Sequence, residues 1–417
     1  MARNTVWAVS GQVARVSIQA VYFVLVARSL GPGHYGAFAS VAALTAALGA
    51  FSGLGTGPLL LQDVSRDPAL VRQSWGRVLG VALASGLALT GVALAVAALA
   101  IAPGIPRSLV LALALSDLVL MPVHTGCTQI FQARERLSTT TVLHVVLSIA
   151  RLLAVLVLLV RVPAATAADL GAYYLAATAI AAAISFARTA SEFGLPVWNN
   201  RGLLRDLRQG LHFSSSIGAQ YVTANVDKVL LAQQASTTAA GVYSAAQRVV
   251  DVAMMPVIAL LAAAIPRFFQ AGQSGTAPAF ALARRLLPAM LVYVGLAVAG
   301  LYVVAPWLPA LFGARYEGSV SALRILALLP VLHTLHAVAG DALSGAGHQK
   351  ARSMVEGAAA GLNVLLNVWA IPRYSFLGSA ACLLAAYGFS APVLWWMGFA
   401  LSRRGGAPRT PGAGAVP

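Results

Sequence analysis

Runs of about 20 or more apolar residues, long enough to cross ~30 Å of hydrocarbon as helices, recur along the whole 417-residue chain. Lipid offers no hydrogen-bond partner, so a crossing backbone must satisfy its own N–H and C=O groups, which a helix does. Uncharged polar residues, Gly and Pro interrupt the runs, and multi-helix bundles tolerate them because neighbouring helices satisfy the freed backbone groups. Charged residues make up 10% of the chain, against about 25% in an average soluble domain. The sequence specifies an all-α polytopic membrane protein.

Segmentation places about 12 spans near 5–29, 35–61, 78–102, 108–132, 138–160, 167–187, 211–235, 240–266, 284–305, 320–346, 353–371 and 377–401. Pro and Gly punctuate the joins, as in Pro103-Gly104. With the N-terminus inside, eighteen of the 28 Lys and Arg residues fall in inner segments, Arg352 among them. Five fall in outer loops: Arg28, Arg107, Arg161, Arg315 and Arg373. This bias supports an even span count and puts both termini in the cytoplasm. The net charge of +16 is scattered singly through short loops, which argues against a nucleic-acid surface. Cys127 and Cys382 both lie in spans, so no disulfide framework is expected. The first run contains Arg15 and lacks a cleavage site, which makes it a retained span and not a signal peptide.

The longest inner connection, 188–210, falls at the midpoint. It divides the chain into six-span halves, 1–187 and 211–401, followed by a disordered tail, 402–417. The halves echo one another. At an offset of 205, Val24, Leu25, Ala27 and Gly36 meet Val229, Leu230, Ala232 and Gly241, and Phe38 meets Tyr243. Both copies sit at the turn between the first two spans of a half. "ARERLST" at 133 and "GHQKARS" at 347 join the fourth and fifth spans of each half. Parallel six-span halves are a common transporter plan, with the substrate site at their interface.

"LVARSLGPGHYGAFA", followed by "GLGTGPLLLQDVSRD", resembles the opening of bacterial polysaccharide flippases of the multidrug/oligosaccharidyl-lipid/polysaccharide exporter superfamily. "NVDKVLLAQQASTTAAGVYSAAQRVVDV" is similar to the start of their second half. "LRILALLPVLHTLHAVAGDALSGAGHQKARSMVEGAAAGLNVLLNVWAIPRYSFLGSAACLLAAYG" is similar to their stretch from span ten to span twelve. The second copy departs from the first in having Ser236-Thr237-Thr238 where Gly31-Pro32-Gly33 stands. The resemblance implies two pseudo-symmetric six-helix bundles around a central cavity that opens alternately to each side. It implies flipping of an undecaprenyl-pyrophosphate-linked oligosaccharide from the cytoplasmic to the periplasmic leaflet, for O-antigen or exopolysaccharide synthesis. The location is then the bacterial inner membrane, with a polysaccharide polymerase and glycosyltransferases as partners.

Ionisable groups inside spans cost about 2.5–3.5 kcal/mol each at the bilayer centre, so each needs a reason. Arg15 has no acid within helical reach, so a water-filled cavity is its expected setting; guanidinium also suits phosphate oxygens. The resemblance supports this, since related lipid-pyrophosphate flippases use cavity cations on their first helix. Arg151 in span five has the same two readings, cavity or structure. Arg248 and Asp251, three apart, either neutralise one another on one helix face or act as a cavity cation and its switchable partner. Asp227-Lys228 matches the family's second-half element and reads equally as a contact between halves or as substrate binding. Arg324 can snorkel outward. Asp117 and Asp341, on equivalent spans four and ten, are candidates to take up a proton or sodium ion, with helix–helix hydrogen bonding as the alternative.

His333 and His336 have a spacing metals use, but no third ligand is evident, so no metal or other cofactor is expected. Gly49, Gly53 and Gly57, like Gly357 and Gly361, read as close-packing stripes. There is no G-x-x-x-x-G-K-[ST] phosphate loop and no nucleophile–base arrangement, so the chain is not expected to be an enzyme. Export of another lipid-linked precursor or a drug remains the alternative transporter reading. A membrane polymerase or ligase is disfavoured by the short outer loop at 306–319.

Overall fold

The computed structural model describes residues 2–100, 104–198 and 203–404 and is helical, with no strand among the described residues. Residues 199–202 of the expected linker and the tail from 405 lie outside the described residues. Among the described residues, nine helical stretches are long and apolar enough to cross a membrane. Two of them, Gly11–Arg66 and Gln349–Arg403, run 56 and 55 residues, more than twice the ~20 that a span requires. Both bend.

The first bend explains the repeated element. Helix α1 (Ala2–Gly49) is broken at Gly31, with φ 74° and ψ 173°, and Pro32 starts the second limb. An L side chain rarely adopts that backbone, so the Gly-Pro pair makes a sharp corner out of one residue. In the second copy the chain ends α8 (Leu203–Gln234) and restarts α9 (Thr237–Gln273) with Ser236 as N-cap, its Oγ accepting from Ala239 N at 3.0 Å. Two different devices thus make the same corner, which is why Gly-Pro-Gly has no counterpart at Ser236-Thr237-Thr238.

The two copies touch each other. A Cβ on Gly36 would lie 1.7 Å from the Thr237 carbonyl oxygen, and one on Gly241 would lie 2.0 Å from the Pro32 oxygen. The helices therefore cross backbone to backbone, each through the other's glycine. Tyr316, from much further along the chain, locks the same end by donating its hydroxyl to the Ala27 carbonyl at 3.1 Å. This end of the molecule is closed.

Other elements depart from expectation for local reasons. The glycines of "GAFSGLGTG" divide their roles: Gly53, Leu54 and Gly55 all have positive φ and break the second span, so that helix α2 (Thr56–Arg66) begins afresh, while Gly57 packs closely against Gln129. Gly357 and Gly361 have no heavy atom within 4 Å of where a Cβ would stand, so they form no packing stripe either. The expected linker 188–210 is mostly helical, because α7 (Ala167–Phe193) runs past 188 and α8 starts at Leu203. Its described residues 194–198 dock on α3 (Val71–Ala100), where Val197 N donates to the Arg72 carbonyl at 2.9 Å and Gly76 lets the strap lie flat.

The remaining helices are α4 (Arg107–Ala114), a π-helical turn Leu115–Leu120, α5 (Met121–Ala133), α6 (Leu137–Arg161), α10 (Thr276–Val304), the short α11 (Leu308–Phe312), α12 (Ser319–Leu326), α13 (Leu329–Gly345) and α14 (Gln349–Arg404). Helix α14 bends at Ser375. A Thr166–Asp169 capping box fixes the start of α7. Large apolar side chains such as Leu99, Val160 and Trp396 point outward, as a lipid-facing surface requires.

Helices α13 and α14 repeat a contact made by α5 and α7. His124 Nδ1 lies 2.8 Å from Ser185 Oγ, and His336 Nδ1 lies 2.9 Å from Ser390 Oγ. The serines are again 205 residues apart. The glycine crossing generates a direct test. Gly36→Val should cost about 1–3 kcal/mol by overpacking, lowering the thermal midpoint in detergent. Gly33→Ala, where the nearest atom is 3.6 Å away, should leave the midpoint almost unchanged.

Candidate functional site

Beneath the closed end lies a cavity of about 430 Å³, walled by α1, the π-helical turn and α5 to α9. Arg15, Arg151, Lys228 and Arg248 line it, together with Asp117 and Asp251. Six of the eight candidate residues therefore converge from five helical elements onto one space. Asp227 and Asp341 do not join them.

The cavity cations differ sharply in how they are held. Arg151 is engaged: its Nη2 lies 3.8 Å from Asp117 Oδ1 and 3.2 Å from Thr178 Oγ1, and its guanidinium stacks 4.0 Å from the Tyr174 ring centre. Asp117 is further held by Thr45 Oγ1 at 2.8 Å and Tyr174 OH at 3.1 Å. It projects from the π-helical turn, a local widening that proteins place at functional sites. Lys228 Nζ donates to Asn225 Oδ1 at 2.8 Å on its own helix.

Arg15 and Arg248 form no ion pair among the described residues, and Arg15 Nε is buried without a hydrogen-bond partner. Of the two readings of Arg248 and Asp251, the ion pair is not formed among the described residues, and both side chains line the cavity. Tyr22 OH, Ser244 Oγ and Gln247 Oε1 line the same space, also buried and unpartnered.

Asp227 is fully buried and accepts from the Tyr243 hydroxyl and from the Lys228 backbone N. It joins α8 to α9, two neighbours in sequence, and so is not the contact between halves. Asp341 is bound by Arg352, Nη1 to Oδ1 2.9 Å. Aligning His124 with His336 sets Asp341 against Gln129, so Asp117 and Asp341 share equivalent spans but not equivalent positions. Arg352 is no loop residue. It is half-buried on α14, and its Nε donates to Glu356 Oε1 at 2.7 Å.

Glu356, 3% exposed, also accepts from Gln220 at 3.2 Å and lies 3.9 Å from His336 Nε2. It falls inside the eleventh expected span yet is absent from the candidate acids above. Four-residue spacing from Arg352 was the signal that could have found it. Arg324 sits exposed at the end of α12, away from the cavity.

A second chamber of about 570 Å³ adjoins the first, sharing Ala46, Asp117, Met121, Arg151 and Tyr174 as a common wall. A third space, an apolar groove between α1 and α9, shares Gln19, Phe23, Arg248 and Asp251 with the first chamber and is otherwise lined mainly by Val, Ala, Met, Leu and Phe.

The fold is shared with solved membrane transporters of the multidrug/oligosaccharidyl-lipid/polysaccharide (MOP) superfamily. The structure aligns with an inward-facing multidrug-resistance MATE family transporter of that superfamily at TM-score 0.75 and 16% identity, covering 94% of this chain and 99% of the other. The outward-facing form of such a transporter aligns at 0.65, with 14% identity and 96% coverage of both chains. The lipid II flippase MurJ, in an inward closed conformation, aligns at 0.73 and 10% identity, covering 97% of this chain and 91% of the other. No curated protein matches the chain in sequence. The profile of the polysaccharide biosynthesis protein family matches residues 1–271, and the chain belongs to that family.

The charge network on α13 and α14 makes a stability prediction. Arg352→Ala leaves two buried carboxylates without their cation and should cost about 3–5 kcal/mol. Arg324→Ala, at an exposed site, should change stability by less than about 0.5 kcal/mol. Thermal unfolding of the two variants in the same detergent checks both.

Proposed function

We propose that the chain flips an undecaprenyl-pyrophosphate-linked oligosaccharide from the cytoplasmic to the periplasmic leaflet by alternating access. The observation that carries this reading is the pair of unpaired guanidinium groups, Arg15 and Arg248, in a cavity with four cations and two carboxylates. Guanidinium forks match phosphate oxygens through paired N–H donors. Arg248 also borders the apolar groove, so a polyprenyl chain lying there would present its pyrophosphate to the arginines.

A cationic drug is the less favoured cargo, because Asp117 is already engaged by Arg151, Thr45 and Tyr174, which leaves Asp251 alone among Arg15, Lys228 and Arg248. Membership of the polysaccharide biosynthesis family supports the lipid-linked sugar. In this reading the closed Gly36–Gly241 end faces the periplasm, as the arginine bias of the loops requires, and both termini are cytoplasmic. A polymerase and glycosyltransferases would act on either side of this step.

Reconstituted protein should move a labelled undecaprenyl-pyrophosphate oligosaccharide between leaflets of proteoliposomes. Arg15→Ala and Arg248→Ala should each slow it by at least about tenfold, the loss of one charge-assisted contact. Equal rates in all three proteins would remove the arginines from the site. A folded wild type that moves no lipid of this class would contradict the substrate.

A further inference from the structure

The two chambers differ in chemistry. The first holds all four cavity cations. Among the described residues, the second carries charge only at the shared wall, on Asp117 and Arg151, which already satisfy one another. The rest of its lining is hydroxyl, amide, glycine and apolar. Its floor is the Gly53–Leu54–Gly55 stretch, where positive φ values bring main chain with little side chain to the surface.

Polar groups nonetheless face this neutral space. Gln129 packs against Gly57, 2.7 Å from where a Cβ would stand, and its Oε1 is buried with no hydrogen-bond partner. Thr125 and the half-exposed Tyr221 line the same chamber, and among the described residues no hydrogen bond uses either hydroxyl. A buried acceptor without a donor costs about 1–3 kcal/mol, so the side chain is better explained by a ligand that supplies hydroxyls.

The order of the spaces adds a second, independent argument. The apolar groove touches the cationic chamber and shares no residue with the neutral one. The neutral chamber meets the cationic one at the Asp117–Arg151–Tyr174 wall. Groove, cations, neutral chamber is the order of hydrocarbon, pyrophosphate and sugar along one amphiphile. The chamber volume, about 570 Å³, lies within the ~300–1,000 Å³ range of small-molecule sites.

We infer that the second chamber is a subsite for the pyrophosphate-proximal sugars and that it selects uncharged ones. This rests on the flippase reading above. Gln129 and Thr125 hydrogen-bond the sugar hydroxyls, and the Tyr221 ring offers a face on which a pyranose stacks. A hexuronic acid at this position meets no free cation, since Arg151 is held by Asp117, Thr178 and Tyr174. Its carboxylate would be desolvated beside Asp117, so the chamber rejects it.

Affinity of the purified full chain in nanodiscs tests this with three probes. They are undecaprenyl pyrophosphate alone, the same lipid bearing a neutral hexose disaccharide, and the same lipid with a hexuronic acid as first sugar. The neutral glycolipid should bind about fivefold to tenfold more tightly than the bare lipid, the worth of about one net hydrogen bond. The uronate should lose that advantage. Gln129→Leu with Tyr221→Leu should abolish the preference while the bare lipid still binds, which also reports that the variant is folded; Thr125→Val should weaken the preference partly. Equal wild-type affinity for all three probes, or a preference that survives in the double variant, overturns the subsite alone. Bare-lipid binding that is absent, or indifferent to Arg248→Ala, overturns the flippase reading beneath it.

Discussion

The structure depends on a close crossing of two main chains. Where Gly36 meets Gly241 there is no room for one methyl group on either side, so the two copies of the repeated element are in direct backbone contact. That contact seals one end of the central cavity. It also sets where the helices below it diverge, and so where the cavity begins. Buried aromatic rings reinforce it, Phe23 packing edge-on against Tyr35 and Phe312. A seal built from small residues can part without leaving any buried charge behind, which is what an alternating gate requires.

Below the seal, the placement of charge follows from the cost of burying it. Arg352 has two carboxylates and Arg151 has a carboxylate, a hydroxyl and a ring. Both are structural by that measure, fixing α13 to α14 and α6 to the π-helical turn. Arg15 and Arg248 have no such compensation, and they are the two that face the open space nearest the apolar groove. An intramembrane cation without a protein partner is a costly feature, and water or an anionic ligand in the cavity is what offsets it. The neutral second chamber completes a gradient from apolar through cationic to hydroxyl-lined.

Much of this was legible in the sequence. Run length and loop charge gave the class of protein, and the offset of 205 located the corner of each half. Arg15 stood out because no acid lies within one turn of it. What stayed hidden depends on contacts between distant segments. Spacing alone pairs Arg248 with Asp251, whereas the fold turns both into the cavity; Arg151 finds Asp117 from 34 positions away, which no periodicity shows. Glycine periodicity misled for a related reason. The same four-residue repeat serves a packed stripe or a helix break, and the positive φ values of Gly53 and Gly55 decide for the break. Gln129 and Tyr221 carry no charge, so nothing in their local pattern marked them as lining a chamber.

The central claim is that the cavity changes sides by parting the Gly36–Gly241 crossing. Spin labels on the exposed residues His34 and Thr238, one on each copy of the element, read that crossing by pulsed electron resonance. The account predicts one short distance in the ligand-free protein and a second, longer population when the undecaprenyl-pyrophosphate oligosaccharide is added. A single unchanged distance in a preparation shown to transport would contradict it.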